Sequence, residues 1–167
     1  MKKVGILMGS DSDLPVLEKA FSTLESLQIP FEVHVYSAHR TPKEAKEFSA
    51  GARDNGFGVI IAAAGMAAHL AGAVAANTTL PVIGIPVKSS NFDGMDALLS
   101  TVMMPPGMPV ATVGVNAAQN AALLAAQILS VEDAALAEKL QNMRDENAKK
   151  ILAKNDSVSA QYSKLEY

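Results

Sequence analysis

The sequence predicts a three-layer α/β domain with a central parallel sheet, and three observations lead there. Five short apolar runs, Val4–Met8, Phe31–Ser37, Val59–Ala64, Pro81–Val87 and Pro109–Val115, begin 27, 28, 22 and 28 residues apart. That is the period of a strand, a crossover helix and a return. The runs are rich in Val and Ile and nearly unbroken in apolar character, as strands covered on both faces are. The intervals between them carry helical patterns.

Asp13–Leu27 places Leu14, Leu17, Phe21, Leu24 and Leu27 on one stripe. Thr41–Asn55 opens with Thr41-Pro42-Lys43-Glu44, a capping box with proline at the first helical position. Met66–Asn77 is almost all Ala, Leu and Val, which predicts a buried helix. Asp93–Thr101 is a short helix candidate, and Ala117–Leu129 is again rich in Ala and Leu. Glu132–Lys154 is charged and amphipathic, an extra C-terminal helix. Residues 1–154 thus read as a single α/β domain, and the polar residues Asn155–Tyr167 as a tail, loose or packed on a neighbour. A βαβαβ chain with short connections is doubly wound and flavodoxin-like in size, with right-handed crossovers.

Composition agrees with one folded domain. The chain has 167 residues, 49% hydrophobic and 19% charged, enough apolar content to exclude global disorder. Five Phe, three Tyr and no Trp make the core aliphatic. A net charge of −3 excludes a general nucleic-acid binder but not a local site for a small anion. The absence of Cys excludes disulfides, thiolate zinc sites and a Cys nucleophile. The first apolar run ends at Gly9-Ser10-Asp11, too short for a signal peptide or a membrane span. The expected compartment is the cytoplasm.

Ligands in such sheets bind outside the carboxyl ends of the strands. After the first run comes Gly9-Ser10-Asp11-Ser12-Asp13. Gly9 allows close backbone approach, and the two serines with a helix N-terminus favour a phosphate. Asp13 suits a pair of sugar hydroxyls; helix capping by Ser12 or Asp13 explains the same residues equally well. The stretch is neither a Walker loop nor a dinucleotide fingerprint. After the second run comes Ser37-Ala38-His39-Arg40. Arg40, one of three arginines, can hold a phosphate bidentately beside Ser37. His39 can exchange a proton near neutrality. A solvated surface loop is the competing explanation.

The third run ends at Ala64-Gly65-Met66-Ala67-Ala68-His69-Leu70, a small apolar loop able to lie against a planar ligand. On residue pattern alone, His69 reads more readily as a satisfied core histidine. His34, mid-strand, receives no role. Lys88-Ser89-Ser90-Asn91 follows the fourth run, with turn and capping roles as good as substrate contact. Pro105–Pro109 reads as a stiff connector, and Asn116 as a cap. No metal set and no nucleophile elbow is evident. The residues add up to an anion cradle, a diol-binding acid and one or two histidines. Proton transfer on a phosphorylated small molecule is the chemistry they suit. A flavodoxin-like signalling module is disfavoured. A receiver needs Asp at the third strand end and Lys at the fifth, where this chain has Ala64-Gly65 and Val115-Asn116. A sugar-phosphate binding module without turnover stays open.

Five segments in register, Gly9-Ser10-x-Ser12-Asp13, Ser37-Ala38-His39-Arg40-Thr41-Pro42, Ala67-Ala68-His69-Leu70, Met104-Pro105-x-Gly107-x-Pro109-Val110 and Asn120–Gln127, resemble the PurE family of purine biosynthesis. The likeness runs from about Val4 to Leu129. The family has a branch that rearranges N5-carboxyaminoimidazole ribonucleotide and a branch that carboxylates aminoimidazole ribonucleotide with carbon dioxide. Arg40 and His69 resemble the first, the mutase branch.

The resemblance implies an isomerase that moves a carboxy group from nitrogen to ring C4. His39 would act first as general acid and then as general base, and His69 would line the pocket near the carboxylate. Ser10, Ser12, Ser37 and Arg40 would hold the phosphate, and Asp13 the ribose. Gly9, Ala38, Gly65, Met66 and Leu70 would complete the substrate site. It implies no metal and no organic cofactor, a homo-octamer with shared sites, and room for a transient contact with the synthetase that makes the labile substrate. Met66 and Ala71 stand where many members have a small residue and a proline. Pro106 fills a variable position, and Asn116–Gln119 carries over no role.

Overall fold

The structure, a computed structural model, describes residues 1–163. Its sheet has five parallel strands in the order β2-β1-β3-β4-β5. They are β1 (Lys3–Met8), β2 (Phe31–Val35), β3 (Phe57–Gly65), β4 (Val82–Val87) and β5 (Ala111–Thr112). The helices are α1 (Leu14–Ser26), α2 (Pro42–Gly51), α3 (Leu70–Ala75), α4 (Met95–Val102), α5 (Ala118–Ser130) and α6 (Ala134–Tyr162).

The period of two along each strand splits the core in half. Val4, Ile6, Met8, Val59, Ile61, Ala63, Ile83 and Ile85 point to the face covered by α1 and α5, with Leu136 of α6 beside them. Leu7, Ile60, Ala62 and Val82 point to the other face, against residues of α2 and α3. Gly84 lets α4 approach there: an added Cβ would stand 2.4 Å from Thr101 Cγ2. The central strands are buried on both sides, which is why their runs lack polar alternation.

Four elements differ from expectation, each for a local reason. The predicted strand Pro109–Val115 shrinks to Ala111–Thr112; proline has no N–H for the ladder, and Asn116 turns the chain away at φ 56°. The predicted helix Met66–Asn77 starts four residues late. Met66 lies in the left-handed region at φ 54°, and Ala68 and His69 donate N–H bonds to Met66 and Ala67 carbonyls instead. The Thr41 capping box does not form: the Thr41 side chain makes no cap bond, and its Oγ1 instead accepts from Ser37 N–H at 2.8 Å. Finally, α6 passes through the expected end at Lys154 and continues to Tyr162. Asp133 caps its start by accepting from Leu136 N–H at 3.0 Å, and no Gly or Pro interrupts it. At about 1.5 Å per residue it is ~44 Å long, and everything from Arg144 to Ser163 is exposed. The end of the expected tail, residues 164–167, lies outside the described residues.

Candidate active site

The loops that leave the carboxyl ends of β1, β2, β3 and β4 enclose an open cleft of about 540 Å³. All twelve residues expected at the site line it.

The β1 loop forms a single 3-10 turn over Asp11–Asp13, capped by Ser10. Ser10 Oγ accepts from Ser12 N–H at 3.3 Å and from Ser12 Oγ–H at 2.9 Å. Asp13, at the start of α1, makes no side-chain cap bond, so helix capping does not account for it. It is 7% exposed. Burial pushes its carboxyl above the usual range, against the lowering effect of Ser10 N–H, Ser12 and the Arg40 charge.

The β2 loop is organised around Ser37. Its Oγ accepts from the N–H groups of His39 at 3.3 Å and Arg40 at 3.2 Å. This aims both side chains into the cleft. Arg40 Nη2 then donates to the Gly9 carbonyl at 2.7 Å. The guanidinium therefore ties the β2 loop to the β1 loop and keeps its remaining donors beside the serine hydroxyls. This corner can take a phosphate.

The β3 loop supplies a floor of backbone and methyl groups. Gly65 permits a close approach of strands at this point, since a Cβ would lie 3.1 Å from the Val87 carbonyl oxygen, a tight contact. Leu70, 2% exposed, roots the loop in the core. His69 is exposed, which removes the reading of a core histidine. Its Nδ1 lies 2.8 Å from His39 Nε2, and the rings meet edge to face with centroids 4.9 Å apart. One nitrogen of the pair must carry the shared proton. The β4 loop adds Lys88 and Ser89, which were not assigned from sequence. The signal that could have found them is their position immediately after a strand's carboxyl end. Among the described residues, no cluster of three or more His, Asp or Glu could hold a metal.

Residues 3–150 match the family described as AIR carboxylase. The chain belongs to the AIR carboxylase family. Its relatives include an N5-carboxyaminoimidazole ribonucleotide mutase of Pyrococcus abyssi, 54% identical over 146 residues, or 87% of this chain and 84% of that one. They also include a chloroplastic phosphoribosylaminoimidazole carboxylase of Vigna aconitifolia, 46% identical over 93% of this chain but only 28% of that much longer protein. The crystal structure of Treponema denticola PurE superposes with a TM-score of 0.81, at 34% identity over 92% of this chain and 96% of that one. The expected fold and family thus agree with the comparisons. Within this family fold, the cleft occupies the end of the sheet where an α/β domain binds its ligands.

Proposed function

We propose that this chain is an N5-carboxyaminoimidazole ribonucleotide mutase of purine biosynthesis, converting its substrate to 4-carboxy-5-aminoimidazole ribonucleotide. The observation that carries the reading is the 2.8 Å contact of His39 with His69 beside the apolar floor. The reaction needs a proton given and then taken at one place. The carbamate C–N bond breaks, carbon dioxide leaves, and His39 delivers a proton to the exocyclic nitrogen. Ring C4 then attacks the trapped carbon dioxide, and His39 removes the C4 proton. No proton is gained or lost overall. Contact with His69 fixes the ring of His39 while its proton comes and goes.

The rest of the cleft supports the same substrate. The serines and Arg40 suit its phosphate, Asp13 its ribose hydroxyls, and Gly65 to Leu70 a flat ring. Trapping carbon dioxide calls for a dry site, yet His39, Arg40 and His69 are all exposed in the single chain. We therefore include a homo-octamer in the reading, with a second copy covering the cleft. The exposed Met95, Leu99 and Met103 around α4 form an apolar patch suited to such packing. A cytoplasmic location, a transient contact with the substrate-making synthetase, and no role for nucleic acid complete the proposal. Among the described residues, no helix is long and apolar enough to cross a membrane.

The test is conversion of N5-carboxyaminoimidazole ribonucleotide without added bicarbonate. The wild type should convert it, and His39→Asn should lose about 10²–10⁴-fold in rate, the usual worth of a general acid–base. The plant relative's name favours a second reading, direct carboxylation of aminoimidazole ribonucleotide. Activity that appears only with that ribonucleotide plus bicarbonate would establish it instead.

A further inference from the structure

Lys88 brings a cation to the β4 side of the cleft, where neither the serine cradle nor the histidine pair makes use of it. It follows Val87, which pairs with Gly65 across the sheet, so it stands next to the apolar floor. Its N–H donates to Asn116 Oδ1 at 2.9 Å, which fixes the direction of the backbone. Its ammonium pairs with Asp93 Oδ1 at 2.8 Å, and the side chains are 55% and 84% exposed. An ion pair this exposed contributes little and is readily exchanged. Three donors sit on that ammonium, and Asp93 accepts one.

The turn that presents Asp93 is tightly built. Asp93 and Gly94 are both left-handed, at φ 52° and 92°, and a Cβ on Gly94 would fall 2.6 Å from Val115 Cγ1. The packed turn therefore places the carboxylate within ion-pair reach of Lys88 at the edge of the β4 loop.

Position decides which anion Lys88 can meet. The serines and Arg40 stand at the ends of β1 and β2, while Lys88 stands at the end of β4. Two strand spacings separate β1 from β4, about 10 Å. A ribonucleotide with its phosphate in the cradle extends its ring toward β3 and β4. The substrate of the proposed reaction carries a second anion on that ring.

We propose that Lys88 is the carboxylate-binding residue of the cleft: its ammonium leaves Asp93 to grip the carboxylate of substrate and product, and returns to Asp93 when the site empties. This rests on the mutase reading and adds a specificity residue to it. Carbon dioxide is neutral, so the grip acts on the two end states and not on the intermediate between them. The grip therefore holds bound substrate at least as strongly as the transition state, which lowers KM and does not raise kcat.

The experiment is titration calorimetry on the full chain. The two probes are 4-carboxy-5-aminoimidazole ribonucleotide and the uncarboxylated 5-aminoimidazole ribonucleotide. Lys88→Gln should bind the carboxylated probe about tenfold more weakly, the loss of one charged hydrogen bond. It should bind the uncarboxylated probe within about twofold of wild type, and its KM should rise while kcat stays level or increases. Lys88→Arg, which keeps the charge, should recover most of the affinity, and unchanged melting of Lys88→Gln would exclude misfolding. Asp93→Asn should tighten the carboxylated probe. Equal weakening of both probes by Lys88→Gln would place Lys88 on the phosphate and overturn the proposal, as would unchanged binding of both. A wild type that binds neither probe would overturn the mutase reading itself, a result distinguishable from the other two.

Discussion

On the β1–β2 side of the cleft, hydroxyls and a guanidinium are tied to backbone within and between two loops. On the β3–β4 side the backbone itself forms the surface, and the side chains that matter are exposed and make no bond to backbone. The side chains of Ser10, Ser37 and Arg40 each make at least one bond to backbone on the first side, whereas on the second the Met66 side chain makes none, His69 meets only His39 and the Lys88 side chain has only an exposed ion pair. The first half is organised before a ligand arrives. The second half keeps its groups exchangeable. A reaction that holds one end of its substrate while the other end breaks and reforms a bond needs that asymmetry.

The largest break in the comparison comes from Arg40. Its bond to the Gly9 carbonyl joins the two loops of the organised half, so its removal takes away both a phosphate partner and a tie. Arg40→Gln should lower kcat/KM by about 10–100-fold, chiefly through KM, the range for losing charged hydrogen bonds to a phosphate. Arg40→Lys keeps the charge without the fork and should fall between the two. Steady-state kinetics checks both. A loss carried by kcat alone would mean that Arg40 serves the histidines and not the cradle.

The same asymmetry governed what the sequence disclosed. The organised half is written in residue types with definite chemistry. Gly-Ser-x-Ser-Asp and Ser-Ala-His-Arg at strand ends could be read as a cradle from their donors alone. The five-strand parallel sheet was equally legible, because continuous Val and Ile runs at a fixed period permit few other folds. The other half is written in backbone. Met66–His69 looks helical by composition, and only the left-handed Met66 shows that it is a turn. By local pattern His69 looks like a core residue, because its Ala-rich neighbours hide the fact that it faces His39, thirty positions away in the chain; only the family resemblance put it in the pocket. Lys88 followed a strand end in plain view, but one lysine among serines has no pattern. Long-range contacts of this kind leave no local trace.

Asp13 is the one buried acid of the organised half, and it sharpens the comparison through pH. Burial raises its carboxyl above the ordinary value, so the folded chain binds more protons than the unfolded chain between those two values. Stability therefore falls as pH rises through that window, and the loss persists above it. Asp13→Asn has nothing to titrate there. Urea midpoints measured from about pH 3 to pH 7 should show the variant gaining on the wild type as pH rises. Curves that stay parallel would mean that the bonds from Ser10 and Ser12 and the charge of Arg40 offset the burial in full.

The smallest effect tests the free half. Met66 holds φ at 54°, a conformation that costs a side chain with a Cβ roughly 1–2 kcal/mol, and at 61% exposure it recovers little of this by burial. Met66→Gly removes the strain but adds conformational freedom to the unfolded chain, an opposing effect of about 0.4–1 kcal/mol. The variant should be more stable by about 1 kcal/mol or less, as read from urea midpoints. Any change in its activity should fall in KM and not in kcat, because Met66 lines the floor under the ring while no step of the proposed reaction touches the thioether. A destabilised variant would show that Met66 is packed against something the single chain lacks. A second copy over the cleft would then be its partner, and the exposed half of the site would be exposed only in isolation.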